Sequence, residues 1–149
     1  GNSVGKAKPP PEVPTFFIDC CLGSVDVAAA LKSAGAVVEI HLDHFPQDAK
    51  DVDWLPVVGA KKWIVLTKDK AIRRREVEID ALIAAGVGAF FLTSGQSTGK
   101  ENAKSFVAAL PKMLKIVAKR TRPFVATISE GGNLAIVKGG ERKGGIKRG

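Results

Sequence analysis

Aspartates recur where this sequence leaves its apolar runs. Asp19 closes residues 15–19 (TFFID), Asp43 closes 36–43 (AVVEIHLD) and Asp69 closes 63–69 (WIVLTKD). Asp48, Asp51 and Asp53 follow the second run. If each run is a strand of one parallel sheet, the three terminal aspartates share its carboxyl edge, where α/β sheets bind ligands. Taken singly, each aspartate is what a turn or a helix cap would use, and Asp53 reads first as a cap. Gathered in one cleft, carboxylates repel, and unpaired charge away from water is costly. A divalent cation relieves that repulsion. Hard oxygen donors suit Mg²⁺ or Mn²⁺, ions that bridge phosphate oxygens and activate water for in-line attack.

Basic residues stand beside the third aspartate. Lys68 and Lys70 flank Asp69, and Arg73, Arg74 and Arg75 follow. Cations at a helix start oppose the macrodipole, so three arginines there ask for a partner. A phosphate backbone passing that helix end would satisfy the arginines and the free N–H groups together. The fourth apolar run ends in Thr93-Ser94, whose hydroxyls are candidates to meet a phosphate or a water. His44, next to Asp43, is a candidate general acid/base or supporting group, and Asp51 is a supporting acid nearby. His41 and the two tryptophans, Trp54 and Trp63, read as packing residues.

Other chemistries are disfavoured. Residues 95–100 (GQSTGK) are one residue short of phosphate-loop spacing and carry Glu101 where Ser or Thr belongs, so they read as a capped helix start. No G-x-G-x-x-G follows the first run, which disfavours a dinucleotide fold. Cys20 and Cys21 are adjacent and cannot staple distant segments. No Cys/His cluster has zinc spacing. A reducing, cytoplasmic setting fits this cysteine usage.

The elements that position these residues follow from patterning. The chain has 149 residues, 45% hydrophobic and 26% charged, a one-domain globular composition. No apolar run reaches the ~18 residues of a membrane span, and no secretory apolar stretch opens the sequence. The net charge is +8, but it is segregated: residues 39–53 carry five acids against Lys50, and residues 61–75 carry seven bases against Asp69. Such neighbours suit a site that binds a cation and a polyanion together.

The spacing predicts a helix capped by Ser24 that runs to about Ala34, where Gly35 stops it. A second helix starts from about Asp53, capped by Asp51 or Asp53, with Pro56 in its first turn. A third covers 75–85, ended by Gly86. Thr98 and Glu101 form a capping box for a long helix with Phe106, Leu110, Met113, Leu114 and Val117 on one stripe. Pro111 is expected to kink or split it. Residues 89–93 (AFFLT) and 124–129 (FVATIS) are the fourth and fifth strands. Near-continuous apolar strands alternating with helices predict an α/β fold: a three-layer α/β/α sandwich on a mainly parallel sheet of about five strands. Residues 1–14 read as a flexible Pro-rich arm, 15–130 as the domain, and 131–149 as a disordered basic Gly/Lys/Arg tail.

Three blocks of this sequence resemble a known group: FFIDCCLG (16–23), HLDHFPQDAKDVDWL (41–55) and WIVLTKDKAIRRR (63–75). They are similar to those of the PIN-like nucleases, in particular VapC-type toxins and Mut7-like PIN domains. The likeness spans residues 15–129. It implies a PIN fold and a Mg²⁺- or Mn²⁺-dependent endoribonuclease that leaves a 3′-hydroxyl and a 5′-phosphate. Its carboxylates map onto Asp19, Asp69 and one or two of Asp43, Asp51 and Asp53. The expected metal ligands are Asp19, Asp43 and Asp69, with Asp53 a fourth or water-mediated one. Lys68, Lys70, Arg73, Arg74, Arg75, Thr93 and Ser94 are expected on the RNA. The resemblance also implies a toxin–antitoxin pairing with an antitoxin protein, and a homodimer. A non-catalytic nucleic-acid-binding module of the same fold is the alternative. A phospho-accepting receiver-like domain is a third reading, against which strand one lacks a following acidic pair.

Overall fold

Apolar residues on both sides of a pleated strand require cover on both faces of the sheet. In the computed structural model, which describes residues 13–19, 22, 25–68, 75–93 and 98–141, that cover is four longer helices and one four-residue helix around one sheet. The order is β1 (Thr15–Ile18), α1 (Asp26–Ser33), β2 (Val37–Ile40), α2 (His41–His44), α3 (Asp51–Lys61), β3 (Ile64–Lys68), α4 (Arg75–Ala84), β4 (Gly88–Leu92), α5 (Gly99–Lys119), β5 (Phe124–Ile128) and β6 (Leu134–Gly139).

Strand alternation divides the core into two. Phe16, Ile18, Ile64, Leu66, Phe90 and Leu92 face Val27 and Leu31 of α1 and Phe106, Leu110 and Met113 of α5. Phe17, Val65, Ala89, Phe91 and Val125 face Trp54, Leu55 and Val58 of α3 and Ile79 and Leu82 of α4. The result is the expected three-layer α/β/α sandwich. Burying each of the phenylalanines contributes roughly 1.5–3 kcal/mol of transfer free energy.

The sheet has six strands in the order β2-β1-β3-β4-β5-β6. The first five are parallel and β6 is antiparallel to β5. From β1 the chain steps outward to β2, crosses back to β3, and then proceeds the other way. The switch point therefore lies between β1 and β3, which opens a crevice at their carboxyl ends.

Several boundaries differ from the sequence expectation. Strand β2 stops at Ile40, because its partner β1 pairs only as far as Ile18. His41 and Asp43 consequently sit in the helical turn α2, not on a strand. Helix α3 begins two residues early, with Lys50 as its N-cap and no capping side chain, and Pro56 falls inside the helix rather than in its first turn. The N-cap of α1 is Val25; Ser24 lies outside the described residues. Pro111 does not split α5, which runs through Lys119, and its ring is exposed. Leu114 is 40% exposed and leaves the buried stripe to Phe106, Leu110, Met113 and Val117. The capping box is formed: Glu101 N–H donates to Thr98 Oγ1 at 3.1 Å and Thr98 N–H donates to Glu101 Oε1 at 2.8 Å.

The sixth strand lies in the stretch read as a basic tail. Leu134 and Ile136 pack against the α1/α5 core, which anchors it. Arg120 Nη1 donates to the Gly140 carbonyl at 3.0 Å, and Thr121 N–H to that of Glu141 at 2.8 Å. The sheet therefore extends past residue 130; residues 142–149 lie outside the described residues. Among the described residues no helix is long and apolar enough to cross a membrane.

Candidate active-site cleft

The pleat decides which strand-end residues look into the crevice. Phe17 and Val65 face α3 and α4, so Asp19 and Thr67, two residues on, face the same way. Phe17 pairs with Val65 and Ile18 with Leu66, and Asp19 N–H donates to the Leu66 carbonyl at 3.0 Å, which carries the ladder one step further. Asp19 and Thr67 thereby become neighbours across the switch point. Thr67 Oγ1 donates to Asp19 Oδ2 at 2.8 Å, and each residue is only 6% exposed.

These two residues share a cavity of about 20 Å³ with a third polar side chain, Glu78 of α4. Trp54 and Leu55 form the α3 wall, Leu82 continues the α4 wall one turn beyond Glu78, and Val65 and Phe91 form the floor. That volume holds one water-sized species. The walls are apolar, so charge inside is poorly screened and must be matched by specific partners.

The other expected residues are distributed differently. Asp43 and Asp53 are exposed, and neither lines this cavity. Asp51 opens α3, and its side chain lies outside the described residues, as does that of Arg75 at the start of α4. Lys68 ends β3, half-buried. Asp69, Lys70, Arg73, Arg74, Ser94, Cys20 and Cys21 lie outside the described residues. Thr93 Oγ1 points to the Ile128 carbonyl at 3.4 Å. His44 Nε2 pairs with Glu39 Oε1 at 2.7 Å.

Aromatic packing accounts for His41, Trp54 and Trp63. Phe17 sits at the centre of the group, its ring centroid 5.8 Å from His41, 5.3 Å from Trp54 and 5.7 Å from Trp63. His41 is 1% exposed, and its Nδ1 has no hydrogen-bond partner among the described residues. This cluster backs the α3 wall of the cavity and fixes Trp54.

The donors at the cleft are two carboxylates and a hydroxyl, from Asp19, Glu78 and Thr67. All are hard oxygens, the chemistry that Mg²⁺ or Mn²⁺ prefers. Among the described residues, no three or more His, Cys, Asp or Glu gather closely enough to hold a metal ion by themselves. Thr67 and Glu78 were missed in the sequence reading. The signal for Thr67 was its pleat parity with Val65. Glu78 had a weaker one, helical spacing with Leu82.

A family model described as a PIN like domain matches residues 14–94, more than half of the chain. The match covers β1 through β4, hence every residue lining the cavity, and ends before α5. No curated protein and no solved structure matches the chain significantly. The chain belongs to the PIN-like domain family, whose members are generally nucleases, and this sets aside the receiver-like reading.

Proposed function

We propose that this PIN-like chain is a metal-dependent endoribonuclease whose reaction centre is the Asp19 cleft. The observation that carries the proposal is a buried carboxylate, Asp19, held by Thr67 at the sheet's switch point and sharing its cavity with Glu78. Asp19 and Glu78 would hold the ion, with Asp69 as the further acid the family resemblance supplies. Mg²⁺ or Mn²⁺, when bound, supplies Lewis acidity toward a phosphodiester and lowers the pKa of a water. The protein's part is orientation. Thr67 occupies one lone pair of Asp19 Oδ2 and so fixes the carboxylate plane. The apolar walls limit bulk water. Lys68, Lys70 and Arg73–Arg75 would position the backbone of the RNA by charge-assisted hydrogen bonds.

The test is cleavage of a structured RNA pool by the full chain with Mn²⁺, with Mg²⁺ and with EDTA, beside identically purified Asp19→Asn protein. Metal-dependent cleavage that Asp19→Asn abolishes is the expected result. Cleavage equal in both proteins, or indifferent to EDTA, would sink the proposal. A second reading, a nucleic-acid-binding module without turnover, is favoured by the exposure of Asp43 and Asp53 outside the cavity that Asp19 lines. It predicts RNA binding retained in Asp19→Asn and no cleavage in either protein. The narrowest form of the first reading is the toxin of a toxin–antitoxin pair. The likeness of residues 41–55 and 63–75 to VapC-type blocks supports it. Growth arrest on expression, relieved by Asp19→Asn or by a co-expressed antitoxin, is its test.

A further inference from the structure

We propose that the outer face of α5 is a docking track for the phosphate backbone of a nucleic acid, separate from the Asp19 cleft. Lys100, Lys104, Lys112, Lys115 and Lys119 are all exposed on this helix. At 3.6 residues per turn they fall within an arc of about 120°. The opposite side carries Phe106, Ala109, Leu110, Met113 and Val117, all buried. The lysine row spans about 28 Å at 1.5 Å per residue, the length of roughly eight phosphates along one strand of a duplex.

The row is not an ordinary mixed-charge helix face. From residue 102 to residue 129 the chain has no Asp or Glu and six Lys or Arg. Among the described residues none of the five lysines stands in an ion pair. Glu101 is on the helix, but its carboxylate turns back to cap Thr98 N–H. Of the remaining nearby acids, Asp26 beside Gly99 and Glu130 in the cleft that Lys104 lines lie at the helix's N-terminal end, and Glu141, whose backbone carbonyl accepts from Thr121 N–H, lies just past its C-terminal end. Lys112 and Lys115, between the two ends, are therefore the most electropositive part; Lys112, Lys115 and Lys119 are spaced three and four residues apart, where like charges repel on an exposed helix.

A polyanion relieves that repulsion along the whole row. An anionic membrane fits less well, because the apolar side of α5 is already spent in the core and cannot insert into lipid. The track packs on the α1/α5 face, whereas the Asp19 cavity opens toward α3 and α4, and α5 lies beyond the matched residues 14–94. Binding here does not require that the cleft cleaves anything.

Fluorescence anisotropy with a labelled 16-nucleotide oligouridine and a 16-base-pair RNA duplex, between 50 and 200 mM salt, tests this. Lys112→Gln/Lys115→Gln is compared with Lys61→Gln/Lys62→Gln, which removes equal charge from the end of α3. Far-UV circular dichroism confirms that both variants fold. Each lost contact to a single strand lowers the salt slope by about 0.7, or about 5-fold in affinity near 0.1 M salt. The α5 variant should bind about 25-fold more weakly with a slope smaller by about 1.4, and Lys112→Arg/Lys115→Arg should bind like the parent. Equal losses in the α5 and α3 variants would reduce the effect to net charge and overturn the track. So would an unchanged α5 variant, or α5-dependent capture by phosphatidylserine vesicles with RNA binding unaltered. Because the readout is binding, a cleft that proves inactive leaves this result unaffected.

Discussion

Replacing Thr67 by Val isolates the interaction on which the cleft rests. Thr67 and Asp19 are each 6% exposed, and their 2.8 Å hydrogen bond joins a hydroxyl to a carboxylate. Valine keeps the shape of threonine, so no cavity opens; what disappears is a donor, and a methyl group now faces Asp19 Oδ2. A hydrogen bond to a charged partner contributes about 1.5–3 kcal/mol, and a carboxylate left short of a donor away from water incurs that cost nearly in full. Thr67→Val should therefore destabilise the chain by about 1.5–3 kcal/mol, or about 3–12 °C in Tm at this size. Urea denaturation is the assay, with the midpoint falling and the slope m unchanged. Thr67→Ser restores the hydroxyl and should recover most of the loss. A cycle with Asp19→Ala then assigns the effect to the pair, with a coupling of at least about 1 kcal/mol. If the two substitutions simply add, within about 0.5 kcal/mol, Thr67 does not orient Asp19 and its role in the cleft is wrong.

Three further outcomes follow from the same geometry. Saturating Mn²⁺, at about 100 times its Kd, should stabilise the parent by about 2.7 kcal/mol; thermal-shift titration should find this lost in Glu78→Gln and kept in Asp43→Asn, since only Glu78 lines the cavity. Gly59→Ala should cost about 1–3 kcal/mol in urea titrations, because its Cβ would collide with the Ala85 carbonyl oxygen, a backbone atom that cannot swing aside. Thr98→Ala should cost about 1 kcal/mol by removing the acceptor for Glu101 N–H, and Thr98→Ser should restore it.

The layers were legible because each strand states its environment in its own residues. TFFI, IVLTK and GAFFL are apolar at consecutive positions, which only a sheet covered on both faces tolerates. The capping box at Thr98 was legible for a similarly local reason. What escaped depended on partners distant in sequence. Whether residues 41–43 continue a strand is decided by where β1 ends, and β1 ends at Ile18, so His41 and Asp43 turn into α2. In that turn Asp43 is exposed and does not line the Asp19 cavity. The sixth strand escaped because its apolar run, residues 134–137, is short and set among glycines and basic residues, and the apolar partners of Leu134 and Ile136 in the α1/α5 core are supplied by tertiary packing.

The acid of α4 shows the same limit at the level of chemistry. Strand-end aspartates announce themselves, because a carboxylate after an apolar run is visible in one dimension. Glu78 sits among Glu76 and Asp80 on a helix that reads as an ordinary charged surface. Only the packing of α4 over β4 and β5 separates them: Asp80 is exposed and pairs with Lys138 at 3.0 Å, Glu76 is exposed, and Glu78 lines the Asp19 cavity. Three acids of similar sequence context thus occupy three electrostatic environments. The cavity, not the motif, selects the one to mutate. A loss of Mn²⁺ stabilisation in Glu78→Gln but not in Glu76→Gln would establish that selection, and equal loss in both would return the second acid to the aspartates of residues 43–53.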